Sequence, residues 1–192
     1  MEKTLIVLKP DAVLRGLTGE LLSRFERAGL KLVAAKMVSV DQELAKKHYP
    51  ESREEWLKLL GHKTLDNYKE LKKDTKKEMG TDDPLELGKM VRGWLLDYIS
   101  SGPVFAAVLQ GPHAVELVRK ITGHTLPFKA DPGTIRGDFS FDSSHLANTG
   151  KRAIKNLIHA SGNLEEAEYE IPLWFSKEEI CSYERSEERA MK

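Results

Sequence analysis

The run Leu5-Ile6-Val7-Leu8-Lys9-Pro10-Asp11 decides how the rest of the chain is read. Four consecutive apolar, β-prone residues stopped by Lys-Pro describe a buried strand that ends in a turn, with Lys9 presented at its C-terminal edge. Outward from it, Leu21, Leu22, Phe25 and Ala28 recur at helical spacing and stop at Gly29, which reads as an amphipathic helix with a glycine cap. Leu32 to Val40 reads as a second strand, and Asp41 as the N-cap of a short helix reaching about His48 and Tyr49. Val104 to Gln110 reads as a third strand, and Gly111-Pro112 starts a helix carrying Leu117, Val118 and Ile121. A strand from about Asn156 to Ala160 follows, then a helix opened by Asn163 with Glu166 three residues on.

The order strand, helix, strand, strand, helix, strand is that of an α+β, two-layer, ferredoxin-like βαββαβ fold with an antiparallel sheet. The whole of 1–192 reads as one domain. Between the second and third strands, from about Glu51 to Ile99, charge is dense and helical periodicity dominates, so 51–99 reads as a helical insertion. Within it, Trp56, Leu57, Leu59 and Leu60 form an apolar cluster ended by Gly61, and Lys69 to Glu78 a solvated helical face. Asp82-Asp83-Pro84 opens a helix whose Leu87, Met90, Val91, Trp94, Leu95 and Tyr98 share one side, read as packing.

Hydrophobic residues make up 40% and charged residues 31%, the composition of a folded globular chain. Lys plus Arg and Asp plus Glu are 30 each, so no bulk field draws the chain to nucleic acid or an anionic membrane, and any polyanion site has to be built locally. One cysteine, Cys181, forms no internal disulfide and suits a reducing compartment, the cytoplasm. The apolar run at the N-terminus is far too short for a signal peptide or a membrane segment.

Four stretches carry polar groups that folding alone does not demand: Lys9-Pro10-Asp11, Arg119 to Thr125, Pro132 to Asp138, and Asn156 to Ser161. If the fold brings the first three together, Lys9, Arg119 and Arg136 converge on one anion, and a phosphate chain suits guanidinium forks and a lysine point charge. The common phosphate cradles, G-x-x-x-x-G-K-[ST] and G-x-G-x-x-G, are missing, as are the protein-kinase motifs. Phosphoryl transfer then needs another nucleophile, and His159, at the end of a strand and followed by small residues, supplies one. An imidazole of ordinary pKa is roughly three quarters neutral at pH 7 and needs no strong base. Taken singly each residue has a plainer reading: His159 a core histidine, Lys9 a strand-end lysine, Arg119 a charge at a helix C-terminus.

The motifs Leu8-Lys9-Pro10-Asp11, Arg15-Gly16, Asp131-Pro132-Gly133-Thr134-Ile135-Arg136-Gly137-Asp138-Phe139, Asn156-Leu157-Ile158-His159-Ala160-Ser161 and Glu170-Ile171-Pro172-Leu173-Trp174-Phe175 together resemble the nucleoside diphosphate kinase family. The resemblance covers both ends of the chain and leaves out about 51–99 and a shorter piece near 142–151. It implies transfer of the γ-phosphoryl group of a nucleoside triphosphate, typically ATP, to a nucleoside diphosphate by a ping-pong route through a phosphohistidine. His159 matches the phosphorylated histidine and Glu170 the glutamate on its other nitrogen. Lys9, Arg119, Thr125, Arg136 and Asn156 match phosphate- and ribose-binding residues, and Tyr49 and Ser161 match side chains lining the same site. The resemblance further implies Mg²⁺ carried in by the nucleotide, with no dedicated metal cage, and a homo-oligomer, tetramer or hexamer, with no membrane and no dedicated nucleic-acid site. Two details depart from the pattern. The residues after His159 are Ala160-Ser161-Gly162 where the family usually has Gly and then Ser-Asp, with Asn163 and Glu166 left to cap the helix. Counting on from Tyr49 to the family's base-stacking aromatic lands on Leu57, with Trp56 beside it, and neither is given that role. A ferredoxin-like RNA-binding module is the competing class, but it calls for exposed strand aromatics and a basic face, and the strands offer only Phe105.

Overall fold

The computed structural model describes residues 1–186. Its four strands, β1 (Glu2–Leu8), β2 (Lys31–Ser39), β3 (Pro103–Gly111) and β4 (Ile158–Ala160), form one sheet in the order β2-β3-β1-β4 with every pairing antiparallel. Helices α1 (Pro10–Leu14) and α2 (Thr18–Arg27) join β1 to β2. Between β2 and β3 stand α3 (Gln42–His48), α4 (Glu54–Glu70), α5 (Thr75–Met79) and α6 (Pro84–Ile99). Then come α7 (Ala114–Thr122), α8 (Ile135–Phe139), α9 (Ser144–Thr149) and, after β4, α10 (Leu164–Trp174). Stripped of α3 to α6 this is the ferredoxin-like order expected.

The central strand β1 is buried on both faces, which is why its sequence is a continuous apolar run. Leu5 and Val7 face a core shared with Ala45 of α3, Leu96 and Ile99 of α6 and Trp174 of α10. Ile6 and Leu8 face a second core with Phe25 of α2, Val118 of α7 and Ile135 of α8. The period of two along the strand thus assigns alternate residues to opposite layers.

The insertion departs from its expected detail in two places. Gly61 does not end a helix: α4 runs through it to Glu70, because a Cβ at Gly61 would lie 1.8 Å from the Pro84 carbonyl oxygen, and one at Gly88 2.0 Å from that of Leu57. These two glycines let α4 and α6 cross in backbone contact. Lys69 to Glu78 is no single helical face either, since α4 stops at Glu70 and α5 begins only at Thr75, capped by Asp74. The Asp83-Pro84 start is as expected, with the Asp83 side chain accepting from Glu86 N at 2.9 Å. On α6 the fully packed positions are Leu87, Leu96 and Ile99, whereas Met90 is exposed.

Candidate active site

β4 is shorter than the Asn156–Ala160 expected, for a local reason. Leu157 sits at φ 69°, a left-handed backbone that a leucine adopts at a cost of about 1–3 kcal/mol, so pairing with β1 starts only at Ile158. The turn is held from the first motif: Lys9 N donates to the Leu157 carbonyl at 2.7 Å, and Asp11 Oδ2 accepts from Leu157 N at 3.2 Å. Beyond the turn, Ile158 joins the α2–α7 core, while His159 pairs with Val7 and so takes Val7's face, under α3 and α10.

α10 brings Glu170 to that face. Asn163 caps the helix by accepting from Glu166 N at 2.8 Å, and Glu166 reaches back to accept from Gly162 N at 2.8 Å, so the expected capping is made despite the altered residues after the histidine. Glu170 is 3% exposed, and its Oε2 accepts from His159 Nε2 at 2.9 Å and from Ser161 Oγ at 2.7 Å. Burial pushes this carboxyl up, but the charge and hydrogen bond of His159, with His48 and Ser161, outweigh it and hold the group down to about 2. An ionised carboxylate only accepts, so Nε2 carries the hydrogen and Nδ1 is left with its lone pair.

The cations come from three places. Arg136 is anchored through Nε to the Asn156 carbonyl (3.1 Å) and through its two terminal nitrogens to those of Gly123 (2.9 Å) and Ile158 (2.6 Å). Burial, then Arg119 nearby, lowers it to about 10. Lys9 Nζ donates to Asn156 Oδ1 at 2.8 Å and lies 5.2 Å above the Tyr98 ring. Burial, then Arg136, brings it down to about 7, so Lys9 is a pinned charge and not the mobile one its side chain suggests. Asn156 Nδ2 donates to the Thr125 carbonyl at 3.0 Å, tying the loop after α7 to the same point. Cations gathered so closely that Arg136 lowers Lys9 and Arg119 lowers Arg136, with Lys9 and Arg136 buried, are costly for the bare fold and suited to an anion.

These groups open onto a cleft of about 660 Å³. Lys9, Tyr49, Arg119, Thr125, Arg136, Asn156 and His159 all line it, so seven of the nine expected site residues share one cavity. Glu170 and Ser161 do not. Ser161, expected to line the site, is fully buried behind it, where its hydroxyl accepts from Leu5 N at 3.3 Å while donating to Glu170. Tyr49 is stacked on Trp56, with ring centroids 6.1 Å apart and planes 3° off parallel. Leu57 is buried against Gly88 and does not line the cleft. Trp94, read as packing, does pack against the α4–α5 cluster but also lines the cleft.

One residue was missed. His48, buried at the end of α3, meets His159 edge-on with centroids 4.4 Å apart, accepts from Trp174 Nε1 at 3.4 Å, and places Nδ1 3.9 Å from Glu170 Oε1. Burial, then His159, holds its imidazole well below the usual range, so it stays neutral. Its neighbour Tyr49 was the only available hint. Among the described residues, His48, His159 and Glu170 also form the group whose ligand atoms lie within 4.8 Å of one another. Their chemistry fits a resident divalent ion poorly, because Glu170 Oε2 and His159 Nε2 are already joined and the phosphate end of the cleft is cationic.

A profile described as "Nucleoside diphosphate kinase" matches residues 2–58 and 86–180, passing over 59–85 and including the 142–151 piece that the motif comparison left out. The nucleoside diphosphate kinase of Pyrobaculum aerophilum is 53% identical over 180 residues, covering 94% of this chain and 98% of that protein. A crystal structure of an NDP kinase from P. aerophilum superposes with a TM-score of 0.92 at 51% identity, over 94% of this chain and 99% of that one. The nucleoside-diphosphate kinase of Borrelia burgdorferi, solved as a transition-state mimic with bound vanadate and ADP, superposes with a TM-score of 0.78 at 42% identity, over 98% and 95%.

Proposed function

Because the chain belongs to the nucleoside diphosphate kinase family and moves a phosphoryl group from a nucleoside triphosphate to a nucleoside diphosphate, we propose that His159 is the group that carries it between the two. The observation behind this reading is that Glu170 occupies His159 Nε2, which leaves Nδ1 as the nucleophile in a cleft that also holds Lys9, Arg119 and Arg136.

In the first half-reaction the Nδ1 lone pair attacks the γ-phosphorus, the Nδ1–P bond forms, and the bond to the bridging oxygen breaks as the diphosphate leaves. No proton has to depart from Nδ1. The ring gains positive charge as it attacks, and the ionised Glu170 opposite Nε2 stabilises that charge. Ser161 and His48 act through Glu170 as positioning residues. Lys9, Arg119 and Arg136 hold the oxygens over which the moving group's charge is spread, and Asn156 keeps Lys9 and the Thr125 loop in place. An acceptor diphosphate then reverses the steps in the same pocket, which is covalent ping-pong catalysis. Tyr49 lines the same cleft.

The kinase works with a divalent cation, and Mg²⁺ fits as part of the substrate, held by the nucleotide's own phosphates. The protein is read as a homo-oligomer, tetramer or hexamer, in the cytoplasm. The free thiol of Cys181 suits a reducing compartment, and among the described residues no helix is long and apolar enough to cross a membrane. The helical insertion is read as running over about 51–99, with the stretch foreign to the family profile at its centre.

Incubation with γ-labelled ATP and Mg²⁺ should give an acid-labile, base-stable phosphoprotein whose label is chased into GTP by GDP. His159→Ala should form none. Full labelling of that variant would remove His159 from the reaction.

A further inference from the structure

α4 runs along the cleft. Trp56, Leu60, Lys63, Thr64, Asn67 and Glu70 line it at positions i, i+4, i+7, i+8, i+11 and i+14, one face of a helix, with Asp66 at its edge. From Trp56, stacked on Tyr49, to Asn67 this wall extends about 16 Å at 1.5 Å per residue. That length is of the order of an extended nucleotide. Tyr49 touches His48 and His48 touches His159, which puts His159 at the Trp56 end of this wall, so a nucleoside whose phosphate meets His159 has to point toward the other end. Six of these seven residues, all but Trp56, lie within 59–85, the stretch that the family profile passes over.

At the far end α4 is joined to α9. Asn148 Nδ2 donates to Asn67 Oδ1 at 2.8 Å, and both amides line the cleft. The Tyr68 hydroxyl, outside the cleft, donates to the Asn148 carbonyl at 3.3 Å. The amide–amide bond uses one donor and one acceptor, which leaves Asn148 Oδ1 and Asn67 Nδ2, an acceptor beside a donor, for a ligand. Leu60, Val91, Trp94 and Phe128 supply apolar surface in the same cleft, fit for the faces of a flat ring.

We propose that the Asn67–Asn148 amide pair binds the pairing edge of the nucleotide base, and does so for all four bases. Adenine and cytosine present an amino donor beside a ring-nitrogen acceptor there, whereas guanine and uracil present an oxo acceptor beside a ring N–H. Turning both amides through half a rotation reverses the donor and acceptor offered while keeping the bond between them. The pair therefore gives hydrogen bonds to either class without choosing between them, which suits a kinase that serves several diphosphates. This rests on the reading of His159 as the phosphate end.

The test is steady-state kinetics with ADP, GDP, CDP and UDP as acceptors, alongside phosphohistidine formation from labelled ATP. Asn148→Leu and Asn67→Leu should each raise KM for all four by about fivefold, the worth of one hydrogen bond, and the double variant by little more than either. Asn148→Asp cannot donate: it loses the bond to Asn67 in the setting that takes adenine or cytosine and the bond to the base in the setting that takes guanine or uracil, so it should raise KM for all four by about fivefold. Tyr68→Phe loosens the joint between α4 and α9 without touching the cleft and should leave KM unchanged. Unaltered KM in the folded leucine or aspartate variants, or an equal rise in Tyr68→Phe, would each overturn the proposal. Failure of wild type to form phosphohistidine would instead overturn the reading of His159.

Discussion

In the proposed mechanism Glu170 acts from behind the histidine, bonded to its Nε2 and outside the cleft. Glu170→Gln keeps a hydrogen-bond acceptor and removes the charge that answers the developing imidazolium. A hydrogen bond to a charged group is worth about 1.5–3 kcal/mol, so kcat/KM should fall by about 10- to 100-fold. Stopped-flow phosphorylation measures it, and an unchanged rate would mean that Glu170 is only a packing residue. Lys9 sets the pH limit. With a folded pKa of about 7 against an ordinary 10.5, its positive form in the free enzyme is lost as pH rises through 7. The rate of phosphorylation at low ATP should therefore fall on that limb, and Lys9→Arg should extend it upward. For stability the sign is opposite. Between 7 and 10.5 the unfolded chain binds the proton that the native one lacks, so native stability rises with pH across that window and the burial cost is fully present below it. Lys9→Met should thus melt several degrees higher near neutral pH, a gain on the order of 1 kcal/mol or more, while losing activity. A lower melting temperature would show that the bond to Asn156 outweighs the desolvation.

Elements were legible where a local rule suffices and not where a neighbour decides. The helix start at Asp82-Asp83-Pro84, the cap at Asn163 and the continuous apolar run of β1 follow from short-range chemistry, and the structure has them where they were read. Gly61 looked like a stop because glycine usually is one; only the presence of Pro84 across the helix crossing shows that it is a contact point. Gly61→Ala should drive a methyl into the Pro84 carbonyl, separate α4 from α6 and lower stability by about 1–3 kcal/mol, seen as a fall in melting temperature. Gly93→Ala on α6, where a Cβ meets nothing within 4 Å, is the matched control and should not destabilise. Leu157 carries the same lesson: an apolar residue in an apolar run reads as strand, and its left-handed backbone is imposed by Lys9 and Asp11 from the far end of the chain.

At the scale of the whole molecule, the oligomer reading predicts a sedimentation mass four or six times the 21.7 kDa of one chain, and a single species of one chain mass would dismiss it. The insertion and α9, read apart in the sequence as two separate extras, close one cleft together through Asn67 and Asn148. By itself the sequence determined the order of elements and the reaction class, and it named seven residues that share the one cleft. Periodicity, capping and a reactive imidazole among fixed cations are properties of short stretches, readable wherever those stretches end up. Only the tertiary structure decided that Ser161 stands behind His159 and Glu170, that His48 packs against His159, that Trp94 faces the cleft, and that α4 forms one of its walls. Each of these depends on which face of one element meets which face of another, and that is settled by the burial of the two cores across residues far apart in the chain.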